Sequence, residues 1–395
     1  MPKADTGAPG VAKTARLFIA STPMIALSCA AAALAHPGQS ELVLIEDFDL
    51  SEDLHALLQG WRDNPFASIV RLPGRHTEHL RGAHPGHRGI HGLLKRVRVK
   101  RALRAQTLAA IRGIEIRLAP KEVWLGNDRK PETQLALHLA CTRIGAPVGR
   151  YLDDGLYSYL GDVRQRPVIR RVDAIVKRLA YGRWWQRADQ AGTTRWVGES
   201  WLAFPDEGCD QSPQRVHRSL PRSWFVRPAF IRLGLRAARQ FGLARADVRH
   251  IAVVVVMPHS NQLRANPALA DALRLLIAQR VAVGQRVAVK YHPRETERDV
   301  GGLLSAAVVE LPALLPLELL LPLLPPAAEL IGEGSTALLA AKWLRADLRV
   351  TDLGLSHAGY ARRARALFAR HGIPTLAGGP GDAAMNGRPD GEAGA

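Results

Sequence analysis

Cysteine is scarce in this sequence: three in 395 residues, Cys29, Cys141 and Cys209. An odd number at wide, unrelated spacings excludes a disulfide framework and a cysteine zinc pattern, and it fits a reducing compartment. Acidic side chains are also short, 36 against 54 lysines and arginines, for a net charge of +18. No uninterrupted apolar run is long enough for a membrane span. There is no Walker lysine pattern and no Gly-x-Gly-x-x-Gly opening a βαβ unit, which argues against a P-loop hydrolase and a dinucleotide enzyme. No internal repeat is visible. What is present in quantity is hydrophobic residue, 47%, enough for packed cores, and a length that suits two domains of ordinary size.

The charge is lopsided. Residues 1–250 carry 39 basic and 23 acidic side chains, residues 251–395 carry 15 and 13. A first half at +16 beside a second at +2 points to a polyanion met by one lobe, whether nucleic acid, acidic polysaccharide or an anionic membrane face. An arginine-rich proteome would give the same bias. The densest stretch is Arg71 to Arg104, with ten basic residues, one acid (Glu78) and five histidines. Pro73, Gly74, Gly82, Pro85, Gly86, Gly89 and Gly92 break up its first part into an expected loop, and Lys95–Arg112 follows as a helix with a basic face. The histidines are spaced irregularly among Gly and Arg, so no metal site is expected.

Residues 1–14 are expected to be a disordered leader and 378–395, rich in Gly, Ala and Pro, a disordered tail. Lys3, Lys13 and Arg16 ahead of the apolar Leu17–Ala35 resemble a secretory signal. Ser21-Thr22-Pro23 interrupts that run, however. A strand Leu17–Ala20, a helix Met24–Ala35 with Pro23 at its first position and a strand Leu42–Ile45 read as the opening of a βαβ unit. Residues 133–160 predict a helix (Gln134–Thr142), a strand (Val148–Leu152) and a loop from Asp153. Residues 164–245, rich in Arg and Trp, read as helices and loops; Trp184, Trp185, Trp196, Trp201 and Trp224 are candidates for a sugar surface or for core. From about 250 the pace is regular: strands at 251–257, 286–291, 306–311, 329–331 and 348–351, helices at 266–280, 337–344 and 362–371. Such alternation predicts parallel, doubly wound α/β architecture. The expected domains are 15–248 and 249–377.

In parallel α/β sheets ligands bind beyond the carboxyl ends of the strands, and three polar clusters fall there. Lys290-Tyr291-His292-Pro293-Arg294 closes one strand; lysine and histidine two apart share a side, and both bind phosphate. Gly332-Glu333-Gly334-Ser335-Thr336 closes another and opens a helix, where glycine permits close approach and the helix N-terminus favours anions. Asp153-Asp154-Gly155 offers adjacent carboxylates that resist joint ionisation and so suit a general base, although Asp-Gly is equally an ordinary turn dipeptide.

These residues carry a resemblance. The chain resembles bacterial GT-B sialyltransferases of the polysialyltransferase and lipooligosaccharide sialyltransferase type, which share an acidic-acidic-Gly triplet, a later His-Pro and a Ser or Ser-Ser/Thr element. Asp153-Asp154-Gly155, His292-Pro293 and Ser335-Thr336 stand in that order, with Leu315-Pro316-Leu317-Glu318 similar to a ribose-binding segment between the last two. Asp206-Glu207-Gly208 also fits the triplet but lacks the trailing Tyr-x-Tyr and a clear strand before it. The resemblance implies an α/β GT-B fold of two Rossmann-like domains facing across a cleft. It implies an inverting transferase, needing no metal and no cofactor, that moves sialic acid or a related sugar from a CMP ester such as CMP-Neu5Ac to a capsule or lipooligosaccharide glycan. Asp154 would be the base and His292 the group on the departing phosphate. Lys290, Ser335 and Thr336 would hold that phosphate and Glu318 the ribose, with Asp153, Gly155, Pro293 and Gly334 as further candidates. A cytoplasmic enzyme touching the inner membrane face and an anionic glycan acceptor is the expected setting. The alternatives are a CMP-Kdo or other sugar-nucleotide transferase of the same fold, or a basic nucleic-acid-binding protein, for which no recognised binding motif is present.

Overall fold

The computed structural model describes residues 14–47, 51–82, 90–161, 167–188, 190–208, 215–293, 295, 299, 302, 303, 305, 307–356 and 359–376. Its chain opens with β1 (Ala15–Ala20), α1 (Pro23–Ala35) and β2 (Gln39–Glu46). Thr22 starts α1, its hydroxyl accepting from Ile25 N at 3.3 Å, and Pro23 fills the first turn, where its fixed φ and absent N–H cost nothing. The apolar run that resembles a signal therefore forms a buried strand and a buried helix.

Next come α2 (Ser51–Gln59), β3 (Ser68–Pro73), α3 (Arg75–Gly82), α4 (Ile90–Leu118), β4 (Glu122–Leu125), α5 (Pro131–Ile144) and β5 (Gly149–Leu152). They are followed by α6 (Leu156–Leu160), α7 (Pro167–Tyr181), β6 (Val197–Leu202) and β7 (Val216–Ser219). The remaining elements are α8 (Pro228–Gln240), α9 (Arg245–Arg249), β8 (Val253–Val256), α10 (Ser260–Ala265), α11 (Pro267–Ala282), β9 (Val287–Lys290) and β10 (Val308–Leu311). The chain closes with α12 (Leu317–Leu320), β11 (Glu329–Gly332), α13 (Thr336–Leu344), β12 (Arg349–Asp352) and α14 (Gly359–Arg370).

The strands form two sheets, ordered β3-β2-β1-β4-β5-β6-β7 and β10-β9-β8-β11-β12. In the first, β3 to β6 pair in parallel; in the second all five strands do. Both begin in the doubly wound order 3-2-1-4-5, which reverses direction between the first strand and the fourth. The second sheet's centre is Val253–Val256, four β-branched residues buried in sequence, as a strand covered on both faces requires. Each contributes about 1.5–3 kcal/mol of burial.

Contacts divide the chain into two compact units: residues 1–153, 166–202 and 210–218 in the first, residues 154–165, 203–209 and 219–395 in the second. Residues 219–248, expected with the first domain, thus pack with the second. One cause is Gly234 of α8, where a Cβ would lie 2.5 Å from the Leu319 carbonyl oxygen.

Two expectations need correction. The stretch beginning at Arg71 is not an open loop, since β3 runs to Pro73 and α3 to Gly82. The region 164–245 holds two strands, β6 and β7. The expected leader 1–14, save Thr14, and the whole expected tail 378–395 lie outside the described residues; Cys209 and Arg294 also lie outside them.

Candidate active site

The five strands of the second sheet end at one level. Pairing sets Leu311 beside Lys290, Lys290 beside Val256, Val256 beside Gly332 and Gly332 beside Asp352. With strands about 4.8 Å apart, this row of strand ends spans roughly 20 Å. The reversal of strand order falls between β8 and β11, near its middle.

His292 leaves the end of β9, half-buried, with Pro293 exposed beside it. Its ring meets that of His259, at the end of β8, edge-on at 5.4 Å between centroids. His259 Nδ1 accepts from Asn261 N at 3.2 Å and so starts α10; in the neutral ring this leaves the proton on Nε2. Glu295 accepts from Ser260 N at 2.8 Å, tying the turn after His292 to the same helix start.

The loop after β11 is held by two acids. Gly334 takes φ +55°, and its amide donates to Asp352 Oδ1 at 2.7 Å. Glu333 accepts from Leu355 N and Ser356 N at 3.0 and 2.8 Å. Asp352 is 0% exposed, and burial pushes its carboxyl up to about 6 against the favourable Gly334 amide. Ser335 is the N-cap of α13, its hydroxyl accepting from Ala337 N at 3.2 Å, and Thr336 stands exposed in the first turn.

Lys290 is placed differently from the other candidates. It is 4% exposed, and its ammonium donates to the carbonyls of Ala313 at 2.6 Å and Tyr291 at 3.3 Å. Burial lowers its pKa to about 8, and the neighbouring Glu318 partly offsets this. Glu318, in the first turn of α12, has its carboxyl raised by burial and eased by Lys290. Lys290 thus anchors the segment that carries Glu318.

Asp153 and Asp154 follow β5. Asp153 is buried, and its amide donates to Trp201 O at 3.0 Å. The Asp154 amide donates to Ser158 Oγ at 2.9 Å, at the start of α6. Gly155 adopts φ +74°, ψ −143°, a region nearly closed to side-chain-bearing residues. A Cβ on it would overlap Thr336 Cγ2 and sit 3.2 Å from Thr336 Cβ. Gly155 and Thr336, 181 positions apart in the numbering, are therefore in van der Waals contact.

The competing triplet is committed elsewhere. Glu207 receives both arms of Arg370 at 2.7 Å and lies 3.3 Å from His371 Nε2. Arg370 holds its carboxyl below the usual range. Of the tryptophans, Trp185 and Trp224 are buried, and Trp201 packs at 5.7 Å on Trp124 in the core. Among the described residues no group of three His, Cys, Asp or Glu could hold a metal ion.

The first unit has a cavity of about 130 Å³ beyond the ends of β2, β3 and β4. Asp47, Arg75, Arg104, Lys130, Lys177 and Tyr181 are among its lining. Two helices, α3 and α5, begin at it, and no side chain caps α5. Three acids, Asp47, Glu78 and Glu132, also line it: Arg104 pairs with Glu78, Lys130 with Asp47, and the Arg75 amide at the α3 start donates to Asp47 Oδ1.

No family model matches the sequence, and no curated protein does. Solved structures do. The α/β-galactoside α-2,3-sialyltransferase from the luminous marine bacterium Photobacterium phosphoreum aligns over 92% of this chain and 98% of its own, at 10% identity and a TM-score of 0.50. The fold is GT-B-like. The UDP-GlcNAc 2-epimerase from Neisseria meningitidis bound to UDP-GlcNAc aligns over 92% of this chain and 87% of its own, at 12% identity and a TM-score of 0.49. The UDP-GlcNAc 2-epimerase from Methanocaldococcus jannaschii aligns over 92% and 88%, also at 12% and 0.49.

Within this GT-B-like chain, two residues at these strand ends escaped the sequence reading, His259 and Asp352, and Glu333 entered it only as a member of the Gly332–Thr336 cluster. His259 had a signal, because Val-Val-Val-Val-Met-Pro-His ends a buried strand on histidine much as Lys-Tyr-His-Pro does. Asp352 had none, since its part is set by a strand neighbour, the loop after β11, that lies elsewhere in the chain.

Proposed function

We propose that the protein is an inverting sialyltransferase-like enzyme that transfers a nonulosonic sugar from its CMP ester to a glycan hydroxyl. The observation that carries the reading is the contact between Gly155 and Thr336. It sets the glycine that follows Asp154 against the start of α13, and this supports a base beside a helix start that suits a phosphate.

The transition state is oxocarbenium-like and the CMP phosphate is already a good leaving group, so the work is a base, charge stabilisation and positioning. Asp154 removes the proton of the acceptor hydroxyl as that oxygen attacks the anomeric carbon. The bond to the phosphate oxygen breaks, and the electron pair leaves with CMP. His292 donates a hydrogen bond or a proton to that phosphate, and Ser335, Thr336 and the first amides of α13 receive its oxygens. Gly334 keeps this loop open to a close approach. Glu318 takes the ribose hydroxyls, and Lys290 acts as a positioning residue beneath it. A single displacement inverts the anomeric centre.

The test is CMP release by purified protein across CMP-Neu5Ac, CMP-Kdo and UDP-sugars, with and without oligosaccharide acceptors. Acceptor-dependent release from CMP-Neu5Ac is expected. Release from CMP-Kdo alone would move the donor within the fold, and no binding of any CMP compound would refute the reading.

A further inference from the structure

Helix α7 is turned inside out. In its sequence, Val172, Ile175, Val176 and Leu179 fall at i, i+3, i+4 and i+7, one stripe of an amphipathic helix. Such a stripe normally packs inward. Here these four side chains are 56, 61, 57 and 82% exposed. The opposite face does the packing: Lys177 lines the cavity of the first unit and lies 5.7 Å over the Trp185 ring, and the Tyr181 hydroxyl accepts from Arg104. A contiguous exposed apolar stripe on a soluble unit marks a surface that something covers.

The charge around it narrows the choice. Among the described side chains of α7, Lys177 and Arg178 stand beside one acid, Asp173, which pairs with Lys177. Through the Arg104 bond, the end of α7 stands beside α4, which exposes Lys95, Arg96, Arg98, Lys100 and Arg101 together with Leu94 and Val97. Apolar residues on one side and basic ones flanking them are the makeup of a helix lying in a membrane interface. A second copy meeting this face about a twofold axis would set like charges against each other. Among the described residues no helix is long and apolar enough to cross a membrane, so the contact would be peripheral.

We propose that α7 docks the first unit onto an anionic lipid surface, with Val172, Ile175, Val176 and Leu179 in the acyl boundary and the basic residues of α4 over the headgroups. This stands independently of the transferase reading. It would also set the cavity lined by Lys177 and Tyr181 close to the lipid surface.

The experiment is co-sedimentation of the full chain with phosphatidylcholine vesicles, with and without phosphatidylglycerol. Wild type is expected to bind only the anionic vesicles, and high salt should weaken binding through the basic share. Ile175→Asp with Leu179→Asp should lower partitioning roughly tenfold or more, with the melting temperature and any activity on soluble substrates unchanged. Should the aspartates disturb folding, Ile175→Ser with Leu179→Ser gives a smaller loss in the same direction. Wild type left in the supernatant, or variants that bind as wild type does, would overturn the proposal. So would a wild-type dimer by light scattering that the double variant splits, because the face would then join two copies.

Discussion

Replacing Gly155 with alanine tests whether the contact between Gly155 and the α13 start holds the proposed site together. Two costs arise. At φ +74°, ψ −143° a side-chain-bearing residue is strained by about 1–3 kcal/mol. The new methyl also overlaps Thr336 Cγ2, and overpacking of this kind costs about 1–3 kcal/mol. If the backbone yields, the two terms partly merge, so a loss of about 2–5 kcal/mol is expected. At about 2–4 °C per kcal/mol for a unit of this size, the melting temperature should fall by about 4–20 °C. Transfer should fall more than stability implies, because Asp154 moves with the glycine, and a shift of about 1 Å can cost about 100-fold. Thr336→Ser deletes the overlapped Cγ2 and keeps the hydroxyl. In the Gly155→Ala, Thr336→Ser double variant the packing share should return and the backbone share remain. Thermal melts and single-turnover transfer on the four proteins of this cycle give the answer. A Gly155→Ala protein that melts and transfers like wild type, or a double variant with no recovery at all, would refute the reasoning.

Three further outcomes are expected. Asp154→Asn removes a proton acceptor at constant shape, so kcat should drop by roughly 10²–10⁴ with CMP binding retained; Glu207→Gln, which only loosens the Arg370 pair, should transfer normally, and the reverse result would mean the other triplet holds the base. His292→Ala should weaken CMP binding by roughly 10- to 100-fold, the worth of one hydrogen bond to a charged group, measured by calorimetry, and unchanged affinity would remove His292 from the donor site. Asp352 has a folded pKa near 6, above its unfolded value, so the folded state binds the proton more tightly and stability falls as pH rises from about 4 to 6. Asp352→Asn should abolish that part, on the order of 1–3 kcal/mol, in urea denaturation at both ends of the window; an unchanged difference between the two pH values would show that Asp352 does not titrate there.

Much of the architecture was legible because it rests on local signals. Thr22-Pro23 marks a helix start whatever surrounds it, and Val253–Val256 can only be a buried strand. The elements that escaped are those whose apolar pattern is diluted. Among the described residues β3 (Ser68–Pro73) pairs only with β2, at the sheet edge, and is mostly half-buried, so Arg71 and Pro73 sit in it without penalty and hide it. In β6, Gly198, Glu199 and Ser200 interrupt the run. β7 is largely exposed, an edge needing little apolar content. At the strand ends of the second sheet, the direction of Lys290 was not legible. The alternation that puts it on the side of His292 holds only inside a strand, and β9 stops at Lys290. Past that point the Ala313 carbonyl decides where the ammonium goes. α7 was obscured for another reason, because periodicity reports that a helix has an apolar face and is silent on which way that face is turned.

The second unit is assembled from three separate stretches of chain, and this bears on the order in which a ribosome delivers them. α6 and residues 203–209 emerge well before β8, yet their partners come last. The Leu160 carbonyl waits for Arg363, at 3.0 Å, Glu207 for Arg370, and the Phe204 ring for His371, 4.0 Å between centroids. During synthesis the strands β1 to β5 can close on one another while α6 and the segment around Phe204 hang without a surface to cover. Only after α14 leaves the exit tunnel are they claimed. A nascent chain stalled anywhere before about residue 370 would therefore present Tyr159 and Phe204 to its surroundings, a natural place for a chaperone to hold it.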